Sequence, residues 1–386
     1  MKIGIINASP FYVDADGINY ISADEMKSLS QWFHLFDEVT LFKPELENGD
    51  KPLGWEELDV KIKVVRLCRS DESLGKKILA IKAIRPQMTG YDLFYYRLPN
   101  YEALTFWKNQ PKETPYFVEL HGDMESAVMS GSHPWIVKKI VSKMLLYYLR
   151  KMGSSSKFAL SIGPALLDKY VYSSIPTYVT TNHLLLEKDY PEDIPERNIS
   201  KVLNILFVGH IHDRKGLRFL FEALAKLKQQ NIPFQMNLAG KGELKSYLKD
   251  YAMKNDFIKQ VSFLGQIKHG EELFDLYRQA DLFILPSVAA EGVPRVIHEA
   301  MAFGCPVIAT DIGSIKWQLS GHAGVLIEPN SSEAIYKAIM KIENDEDLRR
   351  ILIKNGYEKS KLFSLENQEK GIHDFVRCQL KDIYTL

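Results

Sequence analysis

One stretch of the chain, residues 280–304, constrains its fold more than any other. It opens with the apolar run Leu282–Leu285, which is closed by Pro286 and Ser287, and this pattern predicts a buried parallel strand. A loop of small residues follows, and Pro294 marks the first turn of a predicted helix. A strand that leads into a helix in this way is typical of an α/β fold with a parallel sheet.

The same stretch carries two glutamates, Glu291 in the loop and Glu299 eight residues later, about two turns away inside the helix. The free N–H groups at a helix start, and its partial positive charge, favour a phosphate. Carboxylates suit sugar hydroxyls, because a hydroxyl donates a hydrogen bond to a carboxylate oxygen. The stretch therefore predicts a ligand in which a sugar is attached to a phosphate.

Length and composition indicate the class of protein. With 386 residues, 46% of them hydrophobic and 25% charged, the chain predicts a soluble globular protein of two domains. Lys plus Arg and Asp plus Glu both number 49, and this balance argues against a dedicated nucleic-acid binder. Cys68, Cys305 and Cys378 lie far apart, which predicts a reducing compartment and no zinc site. We expect a cytoplasmic protein, since we find neither a signal peptide nor an uncharged run of about 18 residues.

Strands and helices are predicted to alternate along both halves of the chain, from residue 2 and again from residue 204. Residues 184–201 between them are polar and charged and contain two prolines, which is typical of a linker. The predicted organisation is an N-terminal α/β domain over 1–185, a linker over 186–201, a C-terminal α/β domain over 202–365, and a helical tail over 366–386 that packs back toward the N-terminal domain.

Three segments each allow two interpretations. Asp14 and Asp16 resemble the paired aspartates that hold a divalent metal in some sugar transferases, but Asp and Gly also favour a simple turn. His121 follows a predicted strand and lies where ligands bind in open α/β sheets, or it only caps a loop. The helix predicted at 134–152 has a basic flank without acidic residues. It either touches anionic lipid headgroups or exposes an ordinary solvated face.

A loop with two adjacent cations precedes the helix predicted at 217–229. It runs from Gly209 to Gly216 and contains Arg214 and Lys215. A loop bounded by glycines and carrying Arg and Lys ahead of a helix suits a diphosphate, and a solvated turn is the alternative.

The second half of the chain resembles the donor-binding domain of the retaining glycosyltransferases of family four, within the glycosyl transferases group 1. The matching segments keep the family's order and spacing over roughly residues 204–345. The first half resembles the family weakly, through its opening strand–helix–strand unit and His121. The matching segments are FVGHIHDRKG at 207–216, LAGKGE at 238–243, VSFLGQI at 261–267, ADLFILPS at 280–287, EGVPRVIHEAMAFGCPVIATDIGS at 291–314 and GVLIEP at 324–329.

The resemblance implies the GT-B fold, in which two Rossmann-like α/β/α domains with parallel sheets face each other across a cleft. It implies a UDP- or GDP-sugar as the donor substrate, no separate cofactor, and no metal. It also implies a hexosyltransferase that retains the anomeric configuration. The expected acceptor is a glycan or lipid-linked glycan in bacterial surface polysaccharide synthesis, such as O-antigen, capsule or exopolysaccharide. We expect no nucleic-acid partner, and peripheral contact with the cytoplasmic face of the inner membrane.

Carried over by position, the resemblance also assigns site residues. The implied catalytic residues are His121, Lys215 and Glu291, of which Lys215 contacts the diphosphate and Glu291 holds hydroxyls of the donor sugar. Glu299 would hold the ribose hydroxyls. The remaining implied donor-binding positions are Arg214, Gly265, Gln266, Ile267, Gly292, Arg295 and Val296, with the last two acting through backbone N–H groups.

Two positions depart from the family pattern. His210 stands where an arginine usually follows the Val-Gly of the clamp loop, and neighbouring Arg214 offers a replacement for that charge. Gly17 is the only glycine left in a first-domain loop that is usually rich in Gly-Gly. The alternatives to a glycosyltransferase are a GT-B sugar-nucleotide epimerase or phosphorylase, and a catalytically silent homologue that binds or scaffolds.

Overall fold

The structure, a computed structural model, divides into two compact units. The first unit comprises Met1–Thr180 with Glu369–Leu386, and the second comprises Thr181–Gln368. The predicted linker lies within the second unit, and its positions 196 and 198–200 fall outside the described residues. The other residues outside the description are 34, 47–49, 60, 124, 126–127, 129–133, 172–173, 290 and 385–386, together with the side chains at 24 and 31.

The first unit is built on a parallel sheet with helices against it. Its strands are β1 (Lys2–Ile6), β2 (Tyr12–Val13), β3 (Asn19–Ser22), β4 (Glu38–Glu45), β5 (Trp55–Glu57), β6 (Lys63–Arg69), β7 (Leu93–Leu98), β8 (Tyr116–Leu120), β9 (Ala159–Ile162) and β10 (Thr177–Thr180). Its helices are α1 (Ala23–Phe33), α2 (Leu74–Ala83), α3 (Tyr101–Asn109), α4 (Trp135–Ser154) and α5 (Pro164–Tyr170). The parallel sheet has the order β10-β9-β8-β7-β1-β4-β6, and β2, β3 and β5 pair antiparallel in a small second sheet.

The second unit is a parallel sheet of six strands with an α-helix in each connection between consecutive strands. Its strands are β11 (Leu203–Val208), β12 (Phe234–Ala239), β13 (Val261–Gly265), β14 (Leu282–Leu285), β15 (Val307–Thr310) and β16 (Val325–Ile327), in the order β13-β12-β11-β14-β15-β16. Its helices are α6 (Leu217–Gln229), α7 (Lys245–Lys254), α8 (Glu271–Gln279), α9 (Arg295–Ala302), α10 (Ile315–Gln318), α11 (Ser332–Asn344) and α12 (Glu346–Leu362). The last helix, α13 (Leu365–Tyr384), starts in the second unit and continues in the first from Glu369.

Successive side chains of a strand point to opposite faces, so the main sheet of the first unit carries two apolar layers. One layer contains Ile3 and Ile5 of β1 and packs with Trp32 of α1 and Val376 of α13. The other contains Ile6 and packs with residues of α3 and α4. Both faces are therefore covered, as a parallel sheet requires.

Helix α6 shows why the sequence forms these elements in the second unit. Its buried residues recur at helical spacing, which creates one apolar stripe that packs on the sheet. The helix has the bounds that the sequence predicts. The residues in that stripe are Leu217, Leu220, Phe221, Leu224 and Leu227.

The prediction of α/β domains with parallel sheets is confirmed for both units. The small antiparallel sheet was not predicted. Its hairpin of β2 and β3 encloses the turn with Asp14, whose carboxylate accepts hydrogen bonds from the N–H groups of Asp16 and Ile18 and from the Tyr20 hydroxyl. Asp14 thus closes a turn, and in the described ranges no group of three or more His, Cys, Asp or Glu side chains is arranged to hold a metal.

Within the described part of the chain, no helix is both long enough and apolar enough to cross a bilayer.

Helix α9 contains a fully buried histidine, His298, whose ring lies 5.1 Å from the ring of His183 between centroids. Neither ring nitrogen of His298 has a hydrogen-bond partner among the described residues. Burial lowers the pKa of His298 well below its ordinary value, and the neighbouring charges of His183 and Lys359 act in the same direction. The folded protein therefore holds this imidazole neutral.

This burial predicts a loss of stability in acid. Below about pH 6.5 the unfolded chain binds a proton at His298 that the folded chain does not, so the unfolding free energy falls by up to about 1.4 kcal/mol per pH unit. We expect His298→Leu to reduce this fall, which urea unfolding at pH 7.5, 6.5 and 5.5 would measure. Equal pH dependence in wild type and variant would contradict the account.

Candidate functional site

The strand order of the second unit reverses direction between β11 and β14. In open parallel sheets, ligands bind outside the carboxyl ends of the strands at such a point, because the two connecting loops diverge and leave a crevice. The loop after β11 carries Lys215, and the loop after β14 carries Glu291. The topology therefore brings together two of the three predicted catalytic residues.

Lys215 and Glu291 form a close ion pair. The Nζ atom of Lys215 lies 2.6 Å from Oε1 of Glu291, and the two side chains are 24% and 19% exposed. The hydroxyl of Ser287 donates to the same oxygen at 2.7 Å. Glu291 is thus held by a cation and a neutral donor, while both charged groups stay within reach of a ligand.

Two glycines let the loops approach one another. Gly216 has a φ of +67°, and a Cβ there would lie 1.9 Å from the carbonyl oxygen of Pro286. Gly313 has a φ of +55°, and a Cβ there would lie 2.0 Å from the carbonyl oxygen of Glu291. A side chain at either position would push the loops apart, because L residues rarely adopt these angles and no space is available.

A pocket of about 380 Å³ opens at the carboxyl ends of β11, β12 and β13. Two predicted donor-binding residues, Gln266 and Ile267, line it, and so does His210, the residue that departs from the family pattern. Gly265 directly precedes them and accepts a hydrogen bond from the N–H of Gly240, another lining residue, at 2.6 Å. The remaining lining residues are Val208, Gly209, Ala239, Gly240 and Lys241, so apolar and small residues lie beside a few polar ones, as is usual in small-molecule sites.

Glu299 lies in α9 and is almost fully buried. Its Oε2 accepts a hydrogen bond of 2.7 Å from the hydroxyl of Tyr277, and its Oε1 lies 3.6 Å from Nε2 of His269. Burial raises the pKa of Glu299, whereas the Tyr277 hydroxyl and the charges of His269 and Arg295 act in the opposite direction.

The other predicted residues of the second unit lie in the loops before α6 and α9 and in the first turn of α9. Arg295 begins α9 and is exposed, Val296 is half-buried, and Gly292 is exposed in the loop before the helix. Pro294 precedes the helix without a side-chain cap. Arg214 is exposed, and its backbone N–H donates to Nδ1 of His212. Two exposed cationic residues thus follow strands β11 and β14: Arg214 in the loop after β11, and Arg295 at the start of α9.

His121 belongs to the first unit and directly follows β8. Its Nε2 lies 2.8 Å from Oε2 of Glu119 and 3.1 Å from Nε of Arg97. Arg97 and Glu119 are register partners on β7 and β8, so they present their side chains next to each other. His121 therefore sits at the carboxyl edge of the sheet, as predicted, and is held by charged neighbours.

Five residues that contact the predicted site were not predicted from the sequence: Ser287, Tyr277, His269, Glu119 and Arg97. Ser287 precedes Glu291 by four residues in one loop, and this short spacing was a usable signal. Tyr277 and His269 contact Glu299 from 22 and 30 residues away, and Glu119 contacts His121 within a buried strand. No local pattern in the sequence predicts the contacts of Tyr277 and His269 with Glu299. Glu119 stands two residues before His121 at the end of β8, and this spacing, which places both side chains on one face, was also a usable signal.

The chain is similar in sequence to proteins that are named glycosyltransferases. The family model described as glycosyl transferases group 1 matches residues 189–359, less than half of the chain. The chain is 33% identical over 168 residues to the glycosyltransferase MJ1178 of Methanocaldococcus jannaschii, covering 43% of this chain and 46% of that protein. It is 32% identical over 151 residues to the amylovoran biosynthesis glycosyltransferase AmsK of Erwinia amylovora, covering 37% of each.

A longer match has lower identity. The phosphatidyl-myo-inositol mannosyltransferase of Mycobacterium leprae is 24% identical over 275 residues, covering 69% of this chain and 68% of that protein. By contrast, the chain spans less than half the length of the first curated relatives that it matches.

Solved structures extend the likeness to the fold of both units. The sucrose-phosphate synthase of Thermosynechococcus elongatus has a TM-score of 0.68 at 19% identity, covering 99% of this chain and all of that one. The Anabaena protein HepE in complex with UDP has a TM-score of 0.67 at 16% identity, covering 98% of this chain and 100% of that chain. At such identities the likeness shows the fold, and the predicted GT-B class, with its two parallel-sheet α/β domains, is confirmed.

The close approach at Gly313 yields a prediction with an internal control. Gly313→Ala should lower the unfolding free energy by about 3 kcal/mol or more, because the methyl group meets the Glu291 carbonyl as well as an unfavourable φ. Gly321 has a φ of +75° with nothing within 4 Å of a Cβ, so Gly321→Ala should cost only about 1–2 kcal/mol of backbone strain. Urea unfolding measures both, and equal losses would contradict the proposed contact.

Proposed function

We propose that this protein is a retaining glycosyltransferase that moves a sugar from a nucleotide-sugar to a glycan or lipid-linked glycan. The observation that carries the proposal is the Lys215–Glu291 pair at the point where the strand order reverses. It places a cation beside a carboxylate that can accept hydrogen bonds from hydroxyl groups. A nucleotide-sugar carries a diphosphate, which suits the cation, next to sugar hydroxyls, which suit the carboxylate. The match of residues 189–359 to the glycosyl transferases group 1 supports this interpretation.

The donor is proposed to lie along the carboxyl edge of the second unit's sheet. Its base enters the pocket with Gln266 and Ile267, and its ribose hydroxyls donate to Glu299. The diphosphate meets Lys215 and the N–H groups at the start of α9, near Gly292, Arg295 and Val296, with Arg214 close by in the chain. The donor sugar donates hydroxyl hydrogen bonds to Glu291. UDP is the first nucleotide to test, since the Anabaena structure of the same fold is a complex with UDP.

The chemistry follows from where charge develops. Breaking the bond between the sugar and the diphosphate leaves positive charge on the sugar and negative charge on the leaving group. Lys215 and the helix start stabilise the leaving charge, and for this reason we propose that no metal is needed. An acceptor hydroxyl attacks the anomeric carbon from the face that the diphosphate leaves, and the diphosphate takes its proton. The anomeric configuration is then retained, without a covalent role for Glu291.

His121 is proposed to contact the donor sugar through its imidazole. Its Nε2 lies close to both a donor and an acceptor, Arg97 and Glu119, so the ring keeps a partner whether it is neutral or protonated.

The donor site predicts a specific loss of binding. Lys215→Ala should weaken binding of the cognate UDP- or GDP-sugar by roughly 10- to 100-fold, since a hydrogen bond to a charged group is worth about 1.5–3 kcal/mol. Lys226→Ala is the matched control, because Lys226 forms an ion pair of the same 2.6 Å length with Glu333 on the surface of the same unit. Calorimetry with and without EDTA would measure both.

Three outcomes would count against this account. Lys215→Ala binding the donor like wild type would overturn the clamp, and loss of binding in EDTA would show that a metal is required. Absence of binding to any UDP- or GDP-sugar would favour a silent homologue.

The acceptor is proposed to be an intermediate of bacterial surface polysaccharide synthesis, handled on the cytoplasmic face of the inner membrane. The relative AmsK is named for amylovoran biosynthesis, and the mannosyltransferase relative is named for a phosphatidyl-inositol acceptor. These names supply the class of acceptor that this chain should be tested with.

Helix α4 supports a membrane-bound acceptor. Its inner side packs into the core through Leu145, Leu149 and Met152. Four side chains spaced along its outer side are between 51% and 64% exposed although they are large and apolar: Ile136, Ile140, Met144 and Tyr147.

Charge on α4 favours an anionic lipid surface over a protein partner. The helix has no acidic residue, while Lys139 and Lys143 lie among the exposed apolar side chains, and the Lys139 ammonium rests 4.7 Å from the centroid of the Trp135 ring. An amphipathic surface with lysines and an aromatic ring is what a headgroup region with negative charge binds. We propose that α4 lies on the bilayer.

This proposal predicts selective vesicle binding. The protein should sediment with phosphatidylglycerol vesicles at least about 10-fold better than with phosphatidylcholine vesicles at low salt, and Ile140→Glu should abolish this. Leu79→Glu replaces an equally exposed leucine on α2 and should bind like wild type. An equal effect of the two variants, or no preference for anionic vesicles, would contradict membrane docking through α4.

A further inference from the structure

Tyr277 is a fully buried tyrosine of α8 whose hydroxyl points at a predicted ligand-binding carboxylate. The hydroxyl donates to Oε2 of Glu299 at 2.7 Å. The ring is fixed on two sides, since it stacks on Phe303 with an angle of 14° between planes and lies 5.8 Å from Phe283 between centroids. The tyrosine therefore offers Glu299 a donor that cannot rotate away.

The two oxygens of Glu299 face different surroundings. Oε2 faces the buried Tyr277 hydroxyl, and Oε1 faces His269, at a distance of 3.6 Å that is too long for a hydrogen bond. His269 is 43% exposed and follows Gln266 and Ile267, which line the pocket. Glu299 thus turns one oxygen inward and the other toward the loop of the pocket.

The protonation of Glu299 decides what it can bind. An ionised carboxylate accepts hydrogen bonds at both oxygens, whereas a protonated one donates at one of them. Burial raises the pKa of Glu299 and so favours the protonated form. The Tyr277 hydroxyl is the strongest opposing influence, followed by the charges of His269 and Arg295.

We propose that Tyr277 is a positioning residue that holds Glu299 ionised, with Oε1 aimed to accept a hydrogen bond from a ribose hydroxyl of the donor. The proposal rests on the proposed function, because it takes the ligand to be a ribonucleotide. Tyr277 does not touch the ligand itself, and it acts through the carboxylate. The site then distinguishes a ribonucleotide from its 2′-deoxy analogue through the Glu299 carboxylate, which the Tyr277 hydroxyl holds in position.

A purely structural role is the competing explanation, since a buried tyrosine hydroxyl needs a partner wherever it lies. The two explanations predict different results for ligand binding. A structural bond affects folding stability alone, whereas a positioning bond changes the preference for a ribose hydroxyl at constant stability.

The test compares UDP with 2′-deoxy-UDP by calorimetry at pH 7.5, or GDP with 2′-deoxy-GDP if GDP is the nucleotide that binds. We expect wild type to prefer the ribonucleotide by about 10-fold or more, as a hydrogen bond to a charged group implies. Tyr277→Phe should reduce this preference below about 3-fold while leaving binding of the deoxynucleotide nearly unchanged. Tyr277→Met, also without a hydroxyl, is the second variant if Tyr277→Phe does not fold.

Tyr357→Phe is the matched control. Tyr357 is a buried tyrosine of the same unit whose hydroxyl donates to the carbonyl oxygen of Pro191 at 2.7 Å, so its removal costs a similar bond away from Glu299. This variant should keep the wild-type preference.

Each outcome has a distinct meaning. A wild-type protein that binds neither UDP nor GDP contradicts the proposed function. Wild type that binds both ribo and deoxy forms equally, or a Tyr277→Phe variant that keeps the full preference, overturns the role of Tyr277. The same loss in Tyr357→Phe would also overturn it, because the effect would then come from general destabilisation.

Discussion

The ion pair between Lys215 and Glu291 joins the two loops that diverge where the sheet of the second unit reverses its strand order. The two side chains are mostly buried, and the cost of removing both charges from water offsets most of their attraction, so the pair contributes little to folding. The pair matters because groups of a ligand can replace each of its two partners. A ligand with only an anion would satisfy Lys215 and leave Glu291 without its cation, and a neutral sugar would do the reverse. A ligand that carries both a phosphate and neighbouring hydroxyls satisfies the two side chains at once.

Neighbouring residues hold the Lys215–Glu291 pair in position. Ser287 donates to Glu291, and Gly313 allows the Glu291 backbone to approach a neighbouring loop. Tyr277 donates to Glu299 as Ser287 donates to Glu291, so each carboxylate has a neutral hydrogen-bond donor. The second unit thus presents two carboxylates whose orientation is set before a ligand arrives, which reduces the entropy lost on binding.

The first unit carries buried charge at the carboxyl edge of its own sheet. Lys43 pairs with Glu25 in the interior, and burial lowers the pKa of Lys43 although Glu25 opposes this. Arg97 and Glu119 flank His121 a short distance along the same edge. Buried pairs are often no more stable than apolar side chains of the same size. The charge of Glu25 acts on Arg97 as well as on Lys43, which links the Lys43–Glu25 pair to the charged residues that contact His121.

Much of the fold could be predicted because it depends on local patterns. The apolar stripe from Leu217 to Leu227 defines α6, and the run Leu282–Leu285 defines β14. The hairpin around Asp14 was missed because its strands are short and only partly buried, so alternation of apolar and polar residues is weak. Lys215 and Glu291 were predicted from motifs, but the contact of Tyr277 with Glu299 depends on how α8 and α9 pack, which no spacing in the sequence reveals.

The most direct test of the account is a crystal structure with the cognate nucleotide-sugar bound. We predict that Lys215 Nζ leaves Glu291 and lies about 3 Å from a phosphate oxygen, while Glu291 accepts a hydrogen bond from a hydroxyl of the sugar. A nucleotide-sugar bound away from the loops after β11 and β14, or bound there with the Lys215–Glu291 pair intact, would contradict the central claim.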